Sequence, residues 1–268
     1  MKKKLIAMLL SAAMCLSLAA CGQKADTPDT TDPAEPSGDA ATYTVGICQL
    51  VQHEALDAAT QGFIDALNEA LPGQVKIEEK NASGDSNSCA TIVNGFVSEG
   101  VDLIMANATA ALQAAASATS DIPVLGTSIT AYGVALDIDD FSGTVGGNVS
   151  GTSDLADLSK QADMITEWFP ETQKVGLLFC SGEPNSRYQI EEVAKNLSAK
   201  GIETKEFAFT DSNDVASVTQ SAADYADVVY LPTDNIAASN TEAIANILVP
   251  AGVPAICGEE GICSGCGV

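Results

Sequence analysis

Strand-like apolar runs alternate with amphipathic helical patterns through most of the chain, and the same order occurs twice. The runs of the first half begin at Thr44, Val75, Val101 and Ile122, and those of the second half at Lys174, Glu203, Ala226 and Val253. Strands and helices in alternation predict a parallel sheet covered by helices. We therefore predict an α/β protein of two similar Rossmann-like lobes that arose by internal duplication.

The first lobe is predicted to span residues 42–155 and the second residues 156–268. A stretch rich in Gly, Thr and Ser, residues 131–154, suits a crossing between them. Gly73, Gly100 and Gly201 follow three of the helical patterns. Glycine accepts the left-handed conformation that commonly ends a helix, so we expect helices to end just before these residues.

The amino terminus has the pattern of an export signal. Three lysines precede an apolar stretch, and small residues lead to Cys21 in the sequence Leu18-Ala19-Ala20-Cys21. Residues 1–20 are interpreted as a signal peptide, Cys21 as the lipid attachment site and residues 21–41 as a disordered linker. A plain secretory signal and an uncleaved anchor are the alternatives. The prediction places the protein on the extracytoplasmic face of the cell membrane, held there by the lipid alone.

The net charge of −24 argues against nucleic acid as a partner, because a phosphate backbone needs a basic surface. Three of the eight cysteines, Cys48, Cys180 and Cys257, lie in apolar strand-like runs and can pack as small hydrophobic residues. Cys263 and Cys266 have the spacing of a redox pair or half a metal site, but no second such pair and no nearby histidine accompany them. We expect neither a metal site nor a cofactor.

Polar residues follow the predicted strands of both lobes. In open α/β sheets, ligands bind beyond the carboxyl ends of the strands, where helix amino termini direct their N–H groups. The candidates are Gln49 to His53, Asn81 to Asp85, Asn107 to Thr109, Thr127 and Ser128, Ser181 to Ser186, Thr210 to Asp214, Thr233 to Asn235, and Glu259 and Glu260. We slightly favour a solvent-facing position for Glu259 and Glu260.

Five segments in this order resemble the substrate-binding lipoproteins of ABC transporters, in the group with tryptophan- and tyrosine-binding members. They are GICQLVQHEALDAATQGFIDAL from Gly46, NVSGTSD from Asn148, VGLLFCSGEPNS from Val175, LPTDN from Leu231 and PAICGEEG from Pro254. The resemblance implies a type I periplasmic-binding fold that closes on a small solute, such as an aromatic amino acid, and passes it to a permease with its ATPase. It also implies cleft positions for Gln49, His53, Thr152, Ser153, Asp154, Glu183, Asn185, Ser186, Asp234 and Asn235, to which the strand-end residues Thr109 and Thr127 are added.

Three departures from the family pattern carry expectations of their own. The chain has Thr109-Ala110 where the family often has Thr-Pro, and Ala131-Tyr132 where it often has Asp-Pro. One wall of the cleft is therefore expected to differ. Family members also continue beyond the GEEG segment, so the resemblance implies that the second lobe is incomplete.

A free amino acid needs hydrogen-bond donors for its carboxylate and an acidic acceptor for its ammonium group. Hydroxyls and amides at Thr152 and Ser153, or at Asn185 and Ser186, fit the first need. Asp234 or Asp154 fits the second. Helix capping, or a turn at Asp234 and Asn235, explains the same residue types without a ligand, and both interpretations stay open.

The leading hypothesis from the sequence is a binding protein without catalysis. A ligand-sensing module of the same fold is the alternative in the same structural class. A secreted hydrolase is the alternative from another class, but the chain has no GxSxG motif and no histidine after His53.

Overall fold

The computed structural model of the protein describes residues 42–266. The predicted signal peptide, the predicted lipid attachment at Cys21 and the predicted linker lie outside the described residues. Within residues 42–266, none of the helices combines the length and the apolar character that a membrane span requires.

The first lobe contains five strands and four helices in alternation. Its elements are β1 Tyr43–Gln49, α1 Glu54–Ala70, β2 Val75–Asn81, α2 Ser86–Glu99, β3 Leu103–Asn107, α3 Thr109–Ala118, β4 Val124–Ile129, α4 Tyr132–Ala135 and β5 Val149–Ser153.

The second lobe repeats the alternation of strands and helices. Its elements are α5 Leu158–Trp168, β6 Lys174–Cys180, α6 Pro184–Ala199, β7 Glu203–Phe209, α7 Val215–Ala223, β8 Val228–Leu231, α8 Asn235–Ala238, α9 Thr241–Ala251, β9 Ala255–Cys257 and α10 Glu260–Cys266.

Each lobe is built on one parallel sheet, and the two sheets share their strand order. The first sheet has the order β2-β1-β3-β4-β5 and the second the order β7-β6-β8-β9. Val45 of β1 lies beside Leu103 of β3, and Val175 of β6 lies beside Val228 of β8. The predicted α/β class with two Rossmann-like lobes of the type I periplasmic-binding fold is confirmed. The residue at which one lobe gives way to the other stays a prediction.

The segment predicted as a plain crossing, residues 131–154, also contains structure that the sequence analysis did not predict. The short helix α4 and the strand β5 lie within it, and β5 adds a fifth strand to the first sheet beside β4. Gly151 of β5 has φ +152°, and a Cβ there would lie 2.1 Å from the carbonyl oxygen of Gly126. Only glycine therefore lets β5 approach β4 this closely.

The helix ends expected from glycine are found where the sequence placed them. Gly100 has φ +70° directly after α2, and its N–H donates to the carbonyls of Phe96 and Val97. Gly201, with φ +80°, lies two residues beyond the end of α6. These left-handed residues turn the chain toward β3 and β7 and so set where the next strands begin.

Matching aspartates tie the amino ends of neighbouring strands together in both lobes. The Asp102 carboxylate accepts the Thr44 N–H at 2.7 Å, next to the start of β1. The Asp227 carboxylate accepts the N–H groups of Gln173 and Lys174 at 2.9 and 2.8 Å, at the start of β6. The duplication thus extends from strand order to individual hydrogen bonds.

Candidate functional site

Side chains of the two lobes meet at the carboxyl ends of the central strands. His53, the residue before α1, has its Nε2 3.3 Å from Oδ1 of Asn235, the first residue of α8. A second approach joins Gly84, after β2, to Ile236, because a Cβ on Gly84 would lie 2.9 Å from Ile236 Cδ1. The lobes are therefore in contact across the cleft.

Two cavities border these contacts, and residues of both lobes line them. One, of about 320 Å³, lies between the loop after β2, including Ser83 to Asn87, and the second-lobe residues Glu183, Asp211 and Ile236. The other, of about 410 Å³, lies between Gln52 to Glu54 and second-lobe residues that include Glu259. Both volumes are in the range of small-molecule sites. The described residues that line the two cavities include no lysine and no arginine.

Glu183 is enclosed in the second lobe, where its carboxylate receives several N–H groups. Its Oε2 accepts the side chain of Asn185 at 3.0 Å and both the backbone and side chain of Asn235 at 3.1 and 2.6 Å, and its Oε1 accepts the Ile236 N–H at 3.0 Å. Burial, with the nearby charge of Asp234, raises the pKa of Glu183 to about 8. In this conformation Glu183 joins the start of α6 to the start of α8.

Asp234 is only 1% exposed and is also occupied by contacts within its lobe. One carboxylate oxygen accepts the Ala237 N–H at 2.8 Å and so caps α8, and the other accepts the Cys180 N–H at 2.6 Å. The Ser186 hydroxyl is a further partner. Burial raises the pKa of Asp234 despite these hydrogen bonds. Because these contacts occupy the buried Asp234 carboxylate, the described geometry favours the interpretation without a ligand for this residue, although as a helix cap and not only as the turn that the sequence suggested.

Gln49 and the nearby Asn107 form a buried network in the first lobe. The Gln49 side-chain N–H groups donate to Val51 O at 2.9 Å and to Asp57 Oδ1 at 2.6 Å, while its oxygen accepts the Thr60 hydroxyl at 2.6 Å. Asn107 donates to Leu56 O and to Thr60, and its own side-chain oxygen has no partner among the described residues. The network fixes α1 against the ends of β1 and β3, and it positions His53 at the start of α1.

The end of β5 presents side chains that keep their solvent contact. Ser153 donates its hydroxyl to the carbonyl of Thr130 at 2.8 Å, whereas Thr152 and Asp154 are exposed. The pKa of Asp154 is raised, first because surrounding protein displaces part of its hydration and further because Glu259 lies nearby. A hydrogen bond from the Thr130 side chain opposes this rise.

Glu259 of the second lobe lies near Asp154 of the first lobe. Its carboxylate accepts the N–H groups of Gly261 and Ile262 at the start of α10, and the residue is half-buried in the lining of the larger cavity. This position differs from the solvent-facing one that the sequence slightly favoured. Asp154 and Glu259 thus bring carboxylates of opposite lobes close enough to interact.

The candidate residues fall into three groups. Glu183, Asn185, Ser186, Asp234 and Asn235 form one buried network in the second lobe, with His53 reaching it from the first. A second group, Thr152, Ser153 and Asp154, lines the open end of β5. The others stand apart: Gln49 belongs to the α1 network, Thr109 is buried at the start of α3, and Thr127 is half-buried in β4.

Three comparisons agree on what the chain is similar to. Residues 44–268 match the sequence profile of a family described as ABC transporter substrate binding protein. A tyrosine-binding protein of Clostridioides difficile strain R20291 is 31% identical over 266 residues, which are 97% of this chain and 76% of that protein. A crystal structure of an ABC domain from Streptococcus pneumoniae in complex with L-Trp matches with a TM-score of 0.80 and 30% identity, covering 85% of this chain and 78% of that one.

A further solved structure bears on the conformation. The ligand-free, open structure of a substrate-binding protein with adhesive properties from Clostridium difficile is 33% identical and matches with a TM-score of 0.56, covering 82% of this chain and 76% of that one. The two solved structures have nearly equal sequence identity to this chain, but the TM-score is higher for the L-Trp complex. The chain thus superposes better on the L-Trp complex than on the ligand-free, open structure, and His53 and Asn235 of opposite lobes lie within hydrogen-bonding distance of each other.

Proposed function

The chain belongs to the family of ABC transporter substrate-binding proteins, and from this premise we propose that it captures a free aromatic amino acid between its lobes and delivers it to a membrane permease. The observation that carries the amino-acid part is the pair of carboxylates, Asp154 and Glu259, which approach each other from opposite lobes. Two carboxylates in a closing cleft repel each other, and the ammonium group of an amino acid lying near both removes that repulsion. The ligand would then itself stabilise the closed arrangement.

The carboxylate of the ligand needs donors, and the open end of β5 offers one. The hydroxyl of Thr152 is exposed beside Asp154, whereas the hydroxyl of Ser153 already donates to Thr130. His53 lies near the start of α1 and lines the larger cavity together with Glu259. We assign Thr152 and His53 as donors to the ligand carboxylate and Asp154 as the principal acceptor for the ammonium group.

An aromatic side chain fits the smaller cavity better than an acidic one does. Leu50, Ala110 and Ile236 contribute apolar surface to its lining. The absence of Lys and Arg from the lining within the described residues leaves an acidic ligand without a counter-charge. The relatives' ligands, tyrosine by name and L-Trp in the crystal, support the same class of solute.

Delivery to a permease and its ATPase gains from confinement near the membrane. A lipid on Cys21, followed by a stretch rich in Pro, Thr and Asp, would hold the cleft close to its transporter and raise its effective concentration there. Metabolic labelling with a radioactive or alkyne-bearing fatty acid tests the anchor. Labelling of the wild type that disappears in Cys21→Ala supports it, and equal labelling of both proteins contradicts it.

Ligand binding is tested by calorimetric titration of the purified chain with each of the twenty common amino acids. We expect heat and an increase in melting temperature with tryptophan, tyrosine or phenylalanine. Asp154→Asn should weaken binding by at least about tenfold, because it removes the charge that meets the ammonium group. Asp139→Asn, an exposed aspartate ahead of the same strand, is the matched control. If no amino acid binds, the amino-acid proposal fails, and if Asp154→Asn binds normally, the assignment of Asp154 fails.

A further inference from the structure

Cys48 and Cys89 meet inside the first lobe. Cys48 lies in β1 and Cys89 in α2, the helix that packs on that strand. Both are 0% exposed and belong to the same apolar cluster. Their thiols are in hydrogen-bonding contact with each other. Two cysteines that are 41 positions apart in sequence are thus side by side in the fold.

Cys257 and Cys266 repeat this arrangement in the second lobe. Cys257 ends β9 and Cys266 ends α10, and their thiols are also in hydrogen-bonding contact. Cys263, the other member of the CxxC spacing, is exposed while Cys266 is 4% exposed. The spacing in sequence suggested a pairing of Cys263 with Cys266, but the fold turns Cys266 toward Cys257 instead.

We propose that Cys48 with Cys89, and Cys257 with Cys266, form two disulfide bonds, one in each lobe of the exported protein. The proposal rests on the export part of the proposed function, because disulfides form and persist outside the reducing cytoplasm. In each pair one cysteine lies on a strand and the other on the helix packed beside it, and the interaction between the two thiols places the sulfur atoms within reach of each other. The Cys180 thiol donates instead to the carbonyl of Thr210 at 3.6 Å.

The oxidation needs an electron acceptor, which we identify as a disulfide-bearing oxidant, either a protein dithiol oxidase or glutathione disulfide. The thiolate of one cysteine attacks a sulfur of the oxidant and forms a mixed disulfide, and one oxidant thiol leaves. The second cysteine, deprotonated, then attacks the first, and the other oxidant thiol leaves. Two protein thiols lose two protons and two electrons, and one oxidant disulfide becomes two thiols.

Either cysteine of a pair can supply the first thiolate, because the deprotonated sulfur is the nucleophile. Because the first pair is enclosed, its bond must form before the lobe is fully packed, and the finished bond is shielded from reductant.

The test is peptide mapping of the full chain purified from a secreting host. The protein is alkylated in denaturant without reductant, digested and analysed by mass spectrometry. We expect cross-linked peptides joining Cys48 to Cys89 and Cys257 to Cys266, each with two hydrogen atoms fewer than the separate thiol peptides. Cys180 and Cys263 should be alkylated. Alkylation of a proposed pair both in this sample and in the refolded sample described next overturns that bond, and a cross-link between Cys263 and Cys266 overturns the second.

A second arm separates this proposal from the export proposal. The reduced chain, purified from cytoplasm, is refolded with glutathione disulfide and mapped in the same way. Cross-links in this arm alone would support the pairing and contradict export, whereas their absence from both arms would overturn the pairing itself. The refolded, oxidised protein is then reduced in denaturant and refolded without oxidant. This reduction should lower its melting temperature by on the order of 10 °C. The decrease should be smaller in the Cys48→Ala, Cys89→Ala double variant and unchanged in Cys180→Ala.

Discussion

Protonation of Glu183 should control how stability depends on pH. Burial and the charge of Asp234 raise the pKa of Glu183 from its ordinary value of 4.5 to about 8 in the folded protein. Between these values the folded chain holds a proton that the unfolded chain has lost. The stabilisation is therefore complete below about pH 4.5 and is lost as the pH rises toward 8. Linkage gives a decrease in the free energy of unfolding of roughly 4 kcal/mol between pH 5 and pH 8.

Urea denaturation at several pH values, at constant ionic strength and without ligand, measures this decrease. The wild-type midpoint should fall from pH 5 to pH 8 with little change in the slope m. Glu183→Gln should give a flatter profile, because the amide cannot ionise, at the cost of one hydrogen bond near Ile236. Glu191→Gln, an exposed glutamate on the same helix, is the matched control and should follow the wild type. Equal pH profiles for Glu183→Gln and the wild type would refute the reasoning.

Three further predictions test packing and electrostatics elsewhere in the molecule. Gly46→Ala places a Cβ 2.6 Å from the ring of Phe96 and should lower the free energy of unfolding by about 1–3 kcal/mol, as measured by denaturation. The double variant with Phe96→Leu should lose less stability than the sum of the two single changes. Gly151→Ala forces β5 away from β4 and should weaken amino-acid binding in calorimetry, whereas Gly62→Ala, in open space on α1, should not. The pKa of Asp227 is lowered by the N–H groups it accepts, so its stabilisation is lost as the pH falls through that lowered value, and Asp227→Asn should reduce the loss of stability below about pH 4.

The sequence could predict the fold because strand and helix patterns, stop signals and duplication all agreed. Every apolar run became a strand, and Gly100 ended α2 as its backbone freedom suggested. The strand β5 was missed because residues 149–153, VSGTS, carry only one large apolar side chain. Its place in the sheet depends on the close approach of Gly151 to Gly126, which is a contact between distant segments that no local pattern reports.

The candidate site was predicted less completely, because residue type does not reveal the partner. Glu183, Asp234 and Asn235 were candidates because they follow predicted strands, and the structure does bring them together. A cap or turn at Asp234 was one of two open interpretations, but the hydrogen bonds of Glu183 to Asn235 and Ile236 join segments about fifty residues apart, which no local pattern reports. The same limit applies to Cys266, whose thiol interacts with Cys257 although Cys263 is nearer in sequence.

The four acidic residues described above form two pairs with different roles. Glu183 and Asp234 are enclosed and occupied by N–H donors, so they hold the start of α8 in place whether or not ligand is present. Asp154 and Glu259 belong to different lobes, so their mutual repulsion exists only when the lobes approach. A ligand that supplies an ammonium group between them binds the closed state better than the open one, and only such a difference in affinity can shift the equilibrium between the two. If the protein binds an amino acid as we propose, closure of the lobes is therefore expected to depend on the ligand.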